Sequence, residues 1–450
     1  MSEFEKNLSE GSVIKQLILF SLPVLISNLI QSLYSTVDML VVGHFAGPES
    51  MSGVNIGGQV SFLITNMVFG LSVGATVLIG QYMGANDRKR MKQTISTLFV
   101  SLFVAAIGIT LITIGLQTPL LKLIKTPKES FGEAKSYFFI SMLGTIFIFG
   151  YNALSAVMRG MGDSKNPLVF VAIACGTNII LDLLLVAVFK MGASGAAIAT
   201  VLSQALSMIL CIIYLKYNNF IFDFSIESFK GASLKQLKLI LKIGIPTSIQ
   251  NVATSTSFLF LTALVNSIGV MASAAVGAVG KLNGFAILPG VAMSTSISAM
   301  AAQNIGAGKY DRAKRTMFTG MVVAMSISAV IFAIVAIFPE KCIGLFGSDP
   351  ELILCGVKYM KAFKYDYFVA PLCFCFNGLF IGAGKTTFSL INGIMSSLLF
   401  RIPASFVLGI TLDLGLQGVG LGAPIASGAS LIFGVLFFLS GKWKSKVINN

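Results

Sequence analysis

The chain has 450 residues, of which 55% are hydrophobic and only 11% charged, with a mean hydropathy of +0.86. Soluble domains carry about 25% charged residues, so a water-facing exterior is excluded and the chain reads as an all-α integral membrane protein. The net charge of +14 does not imply nucleic acid as a partner: the basic residues lie in short loops between apolar runs, where they act as a topology signal.

Residues 1–12 (MSEFEKNLSEGS) are polar and carry three glutamates. They do not resemble the basic start of a signal peptide, so the first apolar run is expected to be retained. Apolar runs of about 20 residues, enough to cross a bilayer, place spans at 17–45, 53–79, 94–118, 134–157, 167–189 and 193–215. A polar connector, 218–238, follows. A second set falls at 239–266, 271–301, 316–338, 356–381, 387–411 and 416–440. This predicts twelve transmembrane helices in an N-terminal bundle, 1–217, and a C-terminal bundle, 239–450.

Arg88, Lys89, Arg90 and Lys92 follow the second span, Lys216, Lys230, Lys235 and Lys238 the sixth, and Lys309, Arg312, Lys314 and Arg315 the eighth. These loops share one side with Lys6, Lys15 and the C-terminal lysines. The positive-inside rule makes that side cytoplasmic and puts both termini there.

The two sets repeat. Gln81, Gly84, Ala85, Arg90, Lys92 and Thr94 recur 222 residues later as Gln303, Gly306, Ala307, Arg312, Lys314 and Thr316. Pro23, Gly192 and Gly195 recur at 223 as Pro246, Gly415 and Gly418. Six spans per repeat give both halves the same orientation, an arrangement common among secondary transporters.

Asp38 in the first span and Asp182 in the fifth are acids at membrane depth. A charge there costs about 2.5–3.5 kcal/mol on insertion scales, so such residues face cavities and mark function. Tyr34 and Asp38 are four apart and share a helix face, as do Asn178 and Asp182. Packing of the two helices would gather these four near Thr200 and Asn152. At an offset of 223 the second half has Ser257, Leu261, Arg401, Ser405 and Ala423 where the first has Tyr34, Asp38, Asn178, Asp182 and Thr200. Function is therefore expected on the N-terminal half.

Paired carboxylates in low dielectric repel, which makes them able to carry a proton. The same oxygens, at Asp38, Asn178, Asp182 and Thr200, suit Na⁺ equally well, and both ions stay open. Arg401, Lys281, Gln250 and Asn251 are candidates for the substrate cavity. The six cysteines form no CxxC pair and read as packing residues. His44, the only histidine, ends the first span and reads as interfacial. With no nucleophile or metal set, the chain is read as no enzyme and as needing no cofactor beyond the coupling ion.

SLYSTVDMLVVGHFAG, GQYMGANDRKRMKQT, MRGMGDSKNP, TNIILDLLL, GASGAAIATVLSQ, AQNIGAGKYDRAKRT and FRIP, in that order and spacing, resemble the multidrug and toxic compound extrusion (MATE) transporters. The resemblance spans nearly the whole chain. It implies two pseudo-symmetric six-helix bundles around a central cavity, and export of small organic, mostly cationic, compounds in exchange for H⁺ or Na⁺ by alternating access. By position, Asp38 resembles the family's first-helix acid, Asn178 and Asp182 its fifth-helix pair, Thr200 and Asn152 the adjoining oxygen ligands, and Tyr34 their aromatic partner. Gln250, Asn251 and the FCFNGLF run of the tenth span lack the second-half acid of NorM-like members, and Asp366 falls early in that span. The pattern is closer to the DinF-like branch. A monomer in the cell membrane is expected. The alternative is a flippase for a lipid-linked or other amphipathic substrate, although two cations, Arg401 and Lys281, are few for a pyrophosphate.

Overall fold

A computed structural model describes residues 5–218 and 220–449; residues 1–4 of the predicted N-terminal bundle, residue 219 of the connector and residue 450 lie outside them. The described residues are helical, without strands. The first half contains α1 (Val13–Phe45), α2 (Gly47–Gly84), α3 (Arg88–Leu123), α4 (Phe131–Leu143), α5 (Thr145–Gly160), α6 (Lys165–Asp182) and α7 (Gly192–Tyr217). A short α8 (Ile226–Lys230) lies in the connector. The second half contains α9 (Leu234–Ile268), α10 (Val270–Ala286), α11 (Leu288–Gly306), α12 (Tyr310–Ile337), α13 (Pro339–Gly344), α14 (Pro350–Phe363), α15 (Asp366–Gly382), α16 (Thr386–Ile394), α17 (Ile402–Phe406) and α18 (Gly415–Leu439).

Among the described residues, ten helical stretches are long and apolar enough to cross a bilayer. Two bent pairs, α4 with α5 at 49° and α14 with α15 at 50°, bring the number to twelve if each pair is one span. The predicted spans thus correspond to observed helices, but the fourth and tenth are broken rather than straight. Gly144 permits the first bend, because a Cβ there would meet the Val201 side chain at 2.2 Å. Apolar side chains such as Leu40, Leu111, Leu259 and Leu439 remain exposed. Such an apolar exterior suits lipid, where the helices satisfy their own backbone groups.

The sequence repeat reappears as a repeat of backbone conformation. Both the fifth and eleventh spans widen into π-helical turns, at Leu183–Val188 and Val407–Thr411. Each then enters a turn through a left-handed pair, Lys190 and Gly192 in one half, Asp413 and Gly415 in the other. The glycine φ values are +57° and +56°, a region most side chains avoid. Thr94 Oγ1–H donates to the Arg90 carbonyl at 2.8 Å, and Thr316 Oγ1–H to that of Arg312 at 2.9 Å. One π turn has no counterpart: Met395–Arg401 in the second half, ending two residues before Pro403. Proline lacks the amide hydrogen that an α-helix would use there.

The chain divides into two compact units. One comprises residues 5–7 with Ile26–Ser248, the other Leu8–Leu25 with residues 249–449. These bounds differ from the predicted 1–217 and 239–450, since the opening turns of α1 fall in the second unit and those of α9 in the first. Side-chain burial explains the difference. Leu8, Val13, Leu17, Phe20 and Val24 are buried in one apolar cluster with Met293, Ile297 and Met300 of α11, Met317 of α12 and Leu379 of α15. Gly244 of α9 lies so near Gly70 of α2 that a Cβ on Gly70 would meet the Gly244 carbonyl at 2.2 Å.

Polar contacts secure the same segments. In the second unit the Leu8 amide donates to Gln303 Oε1 at 2.9 Å, and Arg312 donates to the Gly11 and Glu10 carbonyls and to Gln16, each at 2.8 Å. In the first, Ser96 donates to the Phe229 carbonyl, and Tyr82 and Thr94 to Gln236. In the connector, hydrogen bonds from Ser228 and Ser225 hold the exposed Asp223 carboxyl down at about 2.

Candidate ion-coupling site

Tyr34 and Asp38 lie one turn apart on α1, and Asn178 and Asp182 one turn apart at the end of α6. Asp182 is the last regular residue before the π-helical turn, a feature frequent at functional sites. All four residues lie in the first unit. Asp38 retains 6% of its exposure, while Asn178 and Asp182 are fully buried. The two carboxyl groups lie beside one another, and Tyr34 sits against Thr200 of α7.

Burial is not accompanied by pairing. Asp38 Oδ1, both Asp182 oxygens, both polar atoms of the Asn178 amide, the Tyr34 hydroxyl and Thr200 Oγ1 are shielded from solvent and have no hydrogen-bond partner. Leaving even one buried polar group unmet costs about 1–3 kcal/mol, so such a cluster is poised for something it can bind. Two carboxylates with neutral oxygens form a hard donor set suited to a proton or a small hard cation. When both are ionised they repel one another, and either ion relieves that repulsion.

Asn152 belongs to the rim rather than the cluster. Its Nδ2 donates to the Ile148 carbonyl at 2.8 Å, and the residue lines a cavity of about 230 Å³ with Gln31, Tyr34, Tyr151, Thr200 and Gln204. Tyr34 and Thr200 therefore stand between the cavity and the acids. Gln31 and Gln204 were legible from spacing, one helical turn from Tyr34 and Thr200. Tyr137, buried on α4 and facing both acids, had no local signal.

The second unit holds a different cavity, of about 200 Å³. Arg401 and Gln250 line it. Asn251 does not line it, nor does Lys281, which is exposed on α10. Asp366, set aside in the sequence because it falls early in its span, opens α15 just after the bend and lines this cavity, 9% exposed. Three of the five positions matching the first-unit cluster are satisfied. Leu261 is apolar core, Ser257 donates to the Ser397 carbonyl and Ser405 to that of Val419, both at 3.1 Å. All six cysteines are free, and His44 is exposed, edge-on to Phe45.

A repeated bundle of apolar helices, with unpaired polar groups buried inside its spans, defines a membrane transporter rather than an enzyme. The MatE family model matches twice, over residues 23–184 and 246–407, so both copies carry the family pattern at the repeat offset. The chain belongs to the MatE family. It is 31% identical over 437 residues to the "Probable multidrug resistance protein YpnP" of Bacillus subtilis (strain 168), covering 97% of each chain. Identity to "Probable multidrug resistance protein YoeA" of the same organism is 28% over 450 residues, covering 98% of this chain and 96% of that one. The fold matches an outward-facing multidrug resistance MATE family transporter with a TM-score of 0.92 at 22% identity, over 99% of this chain and 100% of the other.

Proposed function

We propose that the protein is an antiporter that exports small organic, mostly cationic, compounds in exchange for H⁺ or Na⁺, with Asp38 and Asp182 as the coupling pair. The observation that carries this reading is the buried, unpartnered acid cluster of the first unit. The two Bacillus subtilis relatives, both named as probable multidrug resistance proteins, support the substrate class. Asn178, Thr200 and Tyr34 supply neutral ligands, and Asn152 lines the approach. Basic loops favour a cell membrane with both termini cytoplasmic.

Coupling requires only that the ion and the substrate bind two conformations with different relative affinity. Loading one cation neutralises the carboxyl pair and removes its internal repulsion, which favours the conformation that releases substrate. Exchange of one proton for one monovalent cation moves no net charge, and one pH unit then supplies about 1.4 kcal/mol.

The test is efflux of a cationic dye from proteoliposomes under separately imposed H⁺ and Na⁺ gradients. Wild-type protein is expected to respond to one gradient, and Asp38→Asn and Asp182→Asn to neither. Undiminished gradient-driven efflux in both variants would overturn the assignment.

A further inference from the structure

The second-unit cavity brings together two opposite charges that do not pair. Asp366 and Arg401 both line it and lie within electrostatic reach, yet form no direct ion pair. Asp366 Oδ1 and the Arg401 Nε and Nη1 are buried without hydrogen-bond partners. The guanidinium lies over the Phe258 ring, its central carbon 4.9 Å from the ring centroid. A cation–π contact of that kind holds the group without using its N–H donors, which stay free for a forked contact. The extra π-helical turn, Met395–Arg401, ends at this arginine. At the opposite number in the first half, Asn178, the helix is regular.

A ligand with only a positive charge would satisfy Asp366 and bring its charge near the arginine. A ligand with only a negative charge would satisfy Arg401 and leave the buried acid unmet. A molecule bearing both charges answers both groups, and the cavity wall of Phe258, Phe374 and Tyr367 suits an aromatic body. We infer that this cavity binds small aromatic zwitterions, the carboxylate taken by Arg401 in a forked contact and the ammonium by Asp366. This site lies within the second unit and does not depend on the coupling reading.

Phenylalanine, its methyl ester and N-acetylphenylalanine share one skeleton and are zwitterion, cation and anion respectively. Their affinities for the full-length protein in nanodiscs, read by calorimetry without any ion gradient, test the inference. A carboxylate–guanidinium fork is a charge-assisted contact, so the zwitterion is expected to bind about tenfold or more tightly than either analogue. In Arg401→Gln the zwitterion and the ester should converge; in Asp366→Asn the zwitterion and the acetylated anion should converge. Because the readout is a ratio, a partly destabilised variant still reports. If Arg401→Gln does not fold, Arg401→Lys keeps the charge but loses the fork and should narrow the preference. Equal binding of ester and zwitterion by the wild type, or ratios unmoved by either substitution, would sink the inference. Loss of ion-driven dye efflux in the proteoliposome assay bears only on the coupling assignment.

Discussion

At five matched positions the first half carries Tyr34, Asp38, Asn178, Asp182 and Thr200, and the second carries Ser257, Leu261, Arg401, Ser405 and Ala423. The backbone around both sets shares the π-helical turn that follows Asp182 and Ser405 but differs before it, where only the second half has a π turn ending at Arg401. The side chains differ in how well they are satisfied. Ser257 and Ser405 each donate to a carbonyl and Leu261 is packed in apolar core, whereas the first-half oxygens are buried and unmet. A duplicated scaffold has kept its packing in both copies and placed a pair of neighbouring unmet carboxylates in one. The second copy instead holds Arg401 and Asp366 in a cavity the first does not reproduce, since the residue matching Asp366 is Gly144.

The contrast is broken most directly by removing the acids. Asp38→Asn or Asp182→Asn should cut gradient-driven efflux to the protein-free background in proteoliposomes, while the same two substitutions leave the folded helix content intact by circular dichroism. Transferring the acid is the reverse experiment. Leu261→Asp places a charge in apolar core at membrane depth, and a cost of about 3 kcal/mol is expected. Purification yield and melting temperature in detergent measure it, and a melting temperature equal to wild type would show that the second half tolerates an acid there.

Matched glycines sharpen the comparison of the scaffolds. A Cβ on Gly418 would meet the Leu408 carbonyl oxygen at 2.3 Å, whereas on Gly195 the nearest atom is the Met191 Cβ at 3.0 Å. Backbone cannot give way as a side chain can, so Gly418→Ala should cost about 1–3 kcal/mol and Gly195→Ala less. Equal melting shifts would mean that the two halves pack alike there after all. The smallest effect is expected at Ser405→Ala, which deletes one hydroxyl and its bond to Val419, about 0.5–1.5 kcal/mol, with efflux unchanged. The corresponding Asp182 substitution should show the opposite pattern, efflux lost and stability nearly kept.

Much of this was legible in the residues taken in order. Apolar runs placed every span, the offset of 222–223 exposed the duplication, and spacing of four put Tyr34 with Asp38 and Asn178 with Asp182. Gln31 and Gln204 could have been found by extending the same spacing one turn. Asp366 was passed over because it falls early in the tenth span when that span is taken as straight. The 50° bend between α14 and α15 makes it the first residue of a new helix that faces a cavity. Lys281 shows the converse: a cation inside an apolar run that the fold leaves exposed.

The amino-acid order alone determined that the chain is a membrane protein built of many apolar helices in two like halves, and that Asp38 and Asp182 lie in apolar runs of the first. Those properties follow from local hydropathy and from comparison of one stretch with another, and neither needs three dimensions. Tertiary structure alone decided that Asp38 and Asp182 lie side by side, that Tyr137 faces them, and that Asp366 and Arg401 share a cavity unpaired. It also assigned the opening turns of α1 and α9 to their units. Each of these depends on helix bends, π-helical turns and close glycine contacts, which set distances between residues far apart in the chain and leave no periodic trace along it.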